Sequence, residues 1–127
     1  MAEIDIPEPA RAFFLTGVES IAEWEAVLLL RDGRDQPQDA ASLARRLYIT
    51  EAETLAILSR LVERGILRRS EQPVAFTFAP SSPELDEVIS TCADLYRQYL
   101  IPVTRIIHSK PKMRLKAFAD AFRIRKD

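Results

Sequence analysis

Residues 39–69, DAASLARRLYITEAETLAILSRLVERGILRR, decide the fold of this chain. Asp39 is a good helix N-cap, and apolar residues recur at helical spacing for two turns after it. Thr50 and Glu53 match a capping box, the signature of another helix that starts only three residues after the first ends. Gly65 then supplies the residue that most readily ends a helix in a left-handed conformation. The stretch therefore predicts two helices joined by a short turn.

The flanking sequence predicts a helix before this stretch and a hairpin after it. Ser20 and Glu23 match another capping box, which starts a helix that runs to about Arg31. Residues 66–69 and 74–78 are typical of two short strands, and the second alternates its side chains as a half-buried strand does. The resulting order is that of a winged helix-turn-helix. The predicted fold class is therefore mainly α, with a two-stranded β-wing and a long C-terminal helical extension.

The helical extension begins at Pro83, which follows a serine N-cap. Its apolar and aromatic residues follow alternating steps of four and three, the pattern of a helix that packs lengthwise on another helix. Pro102 should kink or split this helix near Leu100. The pattern predicts a homodimer interface, and the alternative is packing on the first helix and on Phe13 and Phe14 of the same chain. The residues of this C-terminal seam are Leu85, Ile89, Cys92, Tyr96, Tyr99, Val103 and Ile106.

The composition suits one globular domain with an uneven distribution of charge. Of 127 residues, 47% are apolar and 29% are charged. Residues 1–102 carry 10 basic and 17 acidic side chains, whereas residues 103–127 carry 8 and 2. Such a basic tail is typical of an arm for a polyanion, an anionic membrane or an acidic protein, unless it is simply attracted to the acidic body. We expect an N-terminal arm (1–19), a winged-helix domain (20–80) and a helical dimerisation segment with a basic tail (81–127).

Several classes of function are disfavoured by the sequence. It contains no run of the roughly 18 apolar residues that a membrane span needs, and its acidic N-terminus differs from a signal peptide. A cytoplasmic location is therefore expected. One cysteine, Cys92, and one histidine, His108, fall short of an ordinary zinc ligand set, so no metal or cofactor is expected. Cys92 on the seam is predicted to be buried and inert, and nothing in the sequence indicates an enzyme.

The helix-turn-helix resembles that of MarR- and PadR-like bacterial transcription regulators. The resemblance covers roughly residues 20–80, and its most specific part is Leu61-x-x-x-Gly65-Ile66-Leu67, where the recognition helix ends and the wing begins. It implies that the N-terminal half of the third helix reads the major groove. With the nearby basic residues and the tail, the candidate DNA-binding residues are Arg45, Arg46, Thr50, Ala52, Glu53, Ala56, Ser59, Arg60, Arg68, Arg69, Lys110, Lys112, Arg114 and Lys116.

Two functions fit this fold. The first is a transcription regulator that acts as a homodimer and binds double-stranded DNA. The second is an adaptor that docks on a regulatory protein without reading DNA, because this fold also serves as a docking module. Two acids, Glu51 and Glu53, precede the first arginine of the third helix, Arg60, and the wing tip, Glu71-Gln72, has no basic side chain. These features favour the adaptor, and the basic tail would suit an acidic protein partner.

Overall fold

The computed structural model describes residues 5–109 of the chain. Within them it contains six α-helices, a π-helical turn and a two-stranded antiparallel sheet. The fold is a mainly α winged helix-turn-helix with a β-wing and a C-terminal helical extension, which confirms the predicted fold class. The elements in chain order are α1 Glu8–Ala12, the π-helical turn Phe13–Gly17, α2 Ile21–Asp32, α3 Ala40–Leu47, α4 Glu51–Glu63, β1 Leu67–Ser70, β2 Ala75–Phe78, α5 Pro83–Gln98 and α6 Leu100–His108.

Side-chain caps start the helices where the sequence predicts them. The Glu53 N–H donates to Thr50 Oγ1 at 3.0 Å, and the Thr50 N–H donates to the Glu53 carboxylate at 3.1 Å, so the capping box of α4 is confirmed. Asp39 caps α3 by accepting a 2.7 Å hydrogen bond from the Ser42 N–H. Ser82 caps α5 in the same way. These caps satisfy N–H groups that the first turn of a helix would otherwise leave without partners.

The wing is a hairpin with a third backbone segment beside it. β1 pairs antiparallel with β2, with Leu67 opposite Phe78. The backbone of Gln38, just before α3, exchanges two 2.9 Å hydrogen bonds with the backbone of Phe76. All four residues of β2 are buried, so the predicted alternation of buried and exposed side chains is wrong there. The strand is covered because it lies between β1 and the Gln38 segment and packs on α2.

One hydrophobic core joins the N-terminal segment, the winged-helix elements and the C-terminal helices. The ring of Trp24 is fully buried and packs edge-to-face on Phe13, Phe14 and Tyr96, with centroid distances of 6.0, 5.4 and 5.9 Å. Edge-to-face packing is a preferred geometry for aromatic pairs. The described part of the predicted N-terminal arm therefore packs into this core.

The C-terminal extension is split into two helices, as Pro102 predicts. Between α5 and α6, Tyr99 has φ −130° and ψ 58°, which interrupts the helical backbone. Both helices pack against the π-helical turn of their own chain, and α6 also contacts α2. The side chains of Ile89, Cys92 and Val103 are completely buried by these contacts. This corrects the expectation that these three seam residues face a second copy, whereas the homodimer itself stays a prediction.

The other seam residues are partly covered by the same chain. Leu85, Tyr96 and Ile106 pack on the core with part of their surface exposed. The Tyr96 hydroxyl donates to Glu25 Oε2 at 2.7 Å. Burial first, and then the hydrogen bond to Glu25 and its charge, raise the pKa of Tyr96 to about 12.

The predicted burial of Cys92 is confirmed. Its thiol lies 3.6 Å from the backbone oxygen of Ala10, to which it donates. Burial raises the pKa of Cys92 to about 12, so very little reactive thiolate forms at neutral pH.

Candidate nucleic-acid interface

The predicted groove-reading residues lie together on the outer face of α4. Ala52, Glu53, Ala56 and Ser59 are exposed there, and Thr50 is exposed at the start of the helix. The opposite face of α4 is buried in the core. Most of the outer side chains are small, so another surface can approach the helix backbone closely. Small side chains also offer few hydrogen bonds to the edges of bases.

The acidic start of α4 has a structural role. The Glu53 carboxylate accepts from both the N–H and the hydroxyl of Thr50, at 3.1 and 3.0 Å. These hydrogen bonds, the backbone one first, hold the pKa of Glu53 below its usual value, so it stays anionic at neutral pH. Glu51 and Glu53 also carry the charge that the N-terminal end of a helix favours. The same two carboxylates add negative potential to the outer face.

Arg60 and Arg64 turn towards a fully buried glutamate of α2. Arg60 Nε and Nη2 donate to Glu23 Oε1 at 3.1 and 2.8 Å, and Arg64 Nη1 donates to Glu23 Oε2 at 2.6 Å. Glu19 joins them, with its Oε2 2.9 Å from Arg64 Nη2 and its Oε1 3.8 Å from Arg60 Nε. A buried carboxylate is costly unless it is paired and hydrogen-bonded, and here two guanidinium groups do both. We refer to these four residues as the α2–α4 ion-pair cluster.

The ion-pair cluster bears on two expectations. The Arg60 guanidinium is bound to Glu23 while its side chain stays 36% exposed, so the predicted contact of Arg60 with DNA stays a prediction. The capping box predicted for α2 is only half formed. Ser20 Oγ accepts from the Glu23 N–H at 3.1 Å, whereas the Glu23 carboxylate accepts from the arginines and, at 3.3 Å, from the N–H of Glu19. Charged donors outcompete the backbone N–H of Ser20 because hydrogen bonds between ions are stronger.

The other predicted arginines are exposed on two elements that contact α4. Arg45 and Arg46 lie on α3, and Arg68 and Arg69 lie on β1. Arg46 Nη1 donates to Gln38 Oε1 at 2.9 Å, and Arg69 forms an exposed 2.7 Å ion pair with Glu71 of the wing tip. The side chains of Arg45 and Arg68 make no hydrogen bond or ion pair with any residue between 5 and 109. These two arginines are free to bind an anionic partner.

Four predicted DNA contacts, Lys110, Lys112, Arg114 and Lys116, lie outside the described residues. Within the part of the chain that the structure describes, no helix has the length and apolar character to cross a membrane. In that same part, His, Cys, Asp and Glu side chains form no group that could hold a metal ion.

Two features of this region were missed by sequence reasoning. The first is Tyr48 in the turn between α3 and α4, which is 93% exposed and has a left-handed backbone. The sequence feature that could have indicated it is an aromatic residue at the end of a helix, where glycine or asparagine is usual. The second is the ion-pair role of Glu23. The spacing of Arg60 and Arg64 places both on one face of α4, but no pattern in the sequence indicates their partner on α2.

Solved structures of other proteins have a similar fold. Neither a protein-family model nor a curated protein matches the sequence. Among solved structures, a probable transcriptional regulator from Pseudomonas aeruginosa has 20% identity and a TM-score of 0.53, over 87% of each chain. The transcriptional regulator Tm0710 from Thermotoga maritima has 16% identity and a TM-score of 0.53, over 93% of this chain and 85% of that one. AbfR of Staphylococcus epidermidis has 19% identity and a TM-score of 0.51, over 86% and 80%. Two of these three structures are described as transcriptional regulators, and the likeness shows that the chain shares their fold, the winged helix that its resemblance to MarR- and PadR-like regulators implies.

Proposed function

We propose that the chain is a cytoplasmic transcription regulator that acts as a homodimer and inserts α4 into the major groove of DNA. The observation that carries the proposal is the exposed outer face of α4, next to two elements that each present an arginine whose side chain has no partner among residues 5–109. These are Arg45 of α3 and Arg68 of β1. A major groove about 12 Å wide admits a helix, and phosphates border it on both sides. The solved structures with this fold that are described as transcriptional regulators add support.

The exposed side chains of α4 can make few contacts to bases. Most of the affinity for DNA would therefore come from contacts to phosphate, with modest discrimination between sequences. Ala52 and Ala56 can contact thymine methyl groups, and the Ser59 hydroxyl can hydrogen-bond to a base edge. Arginine contacts to phosphate release counterions without reading sequence. We therefore expect DNA affinity to fall steeply as salt rises and to vary modestly from one duplex to another.

A carboxylate placed in the middle of the outer face should oppose binding. We expect Ala56→Glu to weaken DNA binding by more than about tenfold, because its charge would lie within a Debye length, about 8 Å, of the phosphates. Ala12→Glu is the matched control, since it adds the same charge to an exposed alanine of α1 outside the helix-turn-helix. Fluorescence anisotropy at fixed salt, with a duplex from the region upstream of the protein's own gene, measures both. Equal losses in the two variants would contradict the proposal.

We expect the dimer to form at the junction between α5 and α6, next to the partly exposed residues of the C-terminal seam. Tyr99, Leu100 and Ile101 are 38, 51 and 61% exposed there. Burial of such side chains contributes about 1.5 to 3 kcal/mol each, so Leu100→Asp combined with Ile101→Asp should produce monomers. Val74→Asp, at an exposed apolar residue of the wing, is the control and should leave the dimer intact. Light scattering measures the mass, and a wild-type monomer at micromolar concentration would overturn this part of the proposal.

The adaptor is the second candidate, and the distribution of charge favours it. Glu51, Glu53 and Glu71 are exposed on α4 and the wing, while Arg60 and Arg64 are paired internally. An acidic protein partner would then be met by the basic C-terminal segment of the sequence. In that case the wild-type protein should bind neither the upstream duplex nor an unrelated duplex at low salt, and Ala56→Glu should change the affinity for a protein instead.

A further inference from the structure

We propose that Tyr48 and Arg45 form a contact site for the sugar–phosphate backbone of duplex DNA, an inference that rests on the proposed regulator function. Tyr48 lies in the helix-turn-helix turn, three residues before α4 begins. Its side chain is 93% exposed, and its backbone has φ 60° and ψ 40°. A left-handed backbone is uncommon for a residue other than glycine, and a bulky residue in it marks a turn or local strain. The near-complete exposure of an aromatic ring at the same position therefore calls for an explanation.

The turn needs a left-handed residue but does not need a tyrosine. The N–H groups of Tyr48 and Ile49 both donate to the backbone oxygen of Ala44, which closes the end of α3. At the end of α4 the left-handed residue is a glycine, Gly65, at φ 77°. In a tyrosine the Cβ crowds the carbonyl oxygen in this conformation, which glycine avoids and asparagine tolerates better. Because the ring is exposed, packing within residues 5–109 does not offset the strain. A residue kept against local stability in this way suggests function.

The chemistry beside Tyr48 matches a phosphate group. Arg45 lies three residues earlier, in the last turn of α3, where it is exposed and makes no hydrogen bond or ion pair with the described residues. A phenol hydroxyl can donate to a phosphate oxygen, and a guanidinium adds charge and further donors. When α4 enters the groove, the turn before it would lie at the edge of the groove beside the backbone. Neither side chain would read a base, so the site should raise affinity for every duplex.

Tyr48→Asn separates a functional contact from an effect on the fold. We expect the melting temperature to rise by about 2 to 5 °C, because asparagine tolerates the left-handed backbone. We also expect affinity to fall about three- to tenfold, equally for the upstream duplex and an unrelated duplex of the same length. Tyr48→Phe keeps the ring and the backbone strain, so it should lose part of this affinity at an unchanged melting temperature.

Arg45 is tested by a separate variant with a matched control. Arg45→Ala should make the plot of log affinity against log salt less steep by about 1, the loss of one phosphate contact. Arg105→Ala removes an exposed arginine of α6 whose side chain likewise has no partner among residues 5–109, and it should leave the slope unchanged.

Each outcome decides for or against the site. Lower affinity together with a higher melting temperature in Tyr48→Asn supports it. If the wild type binds DNA and Tyr48→Asn binds equally well, the site is refuted while the regulator function stands. A lower melting temperature in Tyr48→Asn would show that the ring stabilises the fold, and would also refute it. A wild type that binds neither duplex defeats the regulator function and this site together.

Discussion

Replacing both Arg60 and Arg64 with alanine should lower the free energy of unfolding by about 3 to 5 kcal/mol. The change would leave the Glu23 carboxylate, which has no exposed surface, without the two cations that pair with it. The arginine side chains are 36 and 30% exposed, so solvent screens part of the interaction and favours the lower end of that range. Even 3 kcal/mol is a large fraction of a typical stability of about 5 to 15 kcal/mol. Urea unfolding followed by fluorescence of Trp24, the chain's only tryptophan, measures the loss.

Two further variants isolate the ion-pair cluster as the cause. Arg45→Ala combined with Arg68→Ala removes the same total charge from exposed side chains that have no partner within the described part of the chain, and should change stability by less than about 1 kcal/mol. Adding Glu23→Leu to the Arg60 and Arg64 double variant removes the stranded carboxylate and should restore much of the stability. If the Arg45 and Arg68 pair proved as destabilising as the Arg60 and Arg64 pair, the cluster would have no special role.

The ion-pair cluster also changes how DNA-binding data on Arg60 should be interpreted. The cluster joins α2 to α4, so a change at Arg60 disturbs the position of the recognition helix as well as its charge. We expect any loss of DNA binding in Arg60→Ala to follow its loss of stability. Exposed Arg45 and Arg68 are cleaner probes of phosphate contact, because their side chains have no partner in residues 5–109.

The helix-turn-helix could be predicted from the sequence because its signals are local. The caps at Asp39 and Thr50 each bond to a residue three positions away, and Gly65 acts on its own backbone. A pattern that acts over three or four residues is visible in the sequence itself. The outer face of α4 was predictable for the same reason, since helical spacing determines which residues lie opposite the buried ones.

The contacts that determine what each side chain does are long-range, and the sequence pattern does not indicate them. Glu23 and Arg60 are 37 residues apart, and the local capping-box signal at Glu23 indicated a different partner. The four-and-three spacing of the seam shows that one face is apolar, without showing what covers it. Ile89 and Val103 are covered by the core of their own chain. Which arginines remain free was equally unpredictable, because it depends on how α2 and α4 face each other.

Phe14→Ala should lower the free energy of unfolding by about 3 to 5 kcal/mol, although the residue lies outside the predicted winged-helix domain, in the N-terminal segment 1–19. Its ring is fully buried, 5.4 Å from the ring of Trp24 and perpendicular to it within a few degrees, at an interplanar angle of 84°. Truncation would leave a cavity beside the tryptophan and remove the edge-to-face contact. Leu15→Ala is the control on the next residue, which is only partly buried, and should cost clearly less.

The same substitution tests how the N-terminal segment supports the recognition helix. Trp24 lies directly after Glu23 on α2, and Glu23 holds α4 through Arg60 and Arg64. A cavity beside Trp24 should therefore loosen α2 where it anchors α4. We expect Phe14→Ala to weaken DNA binding in proportion to its loss of stability, although the residue is buried and cannot touch DNA. If Phe14→Ala and Leu15→Ala both cost less than about 1 kcal/mol, this segment would not be part of the core.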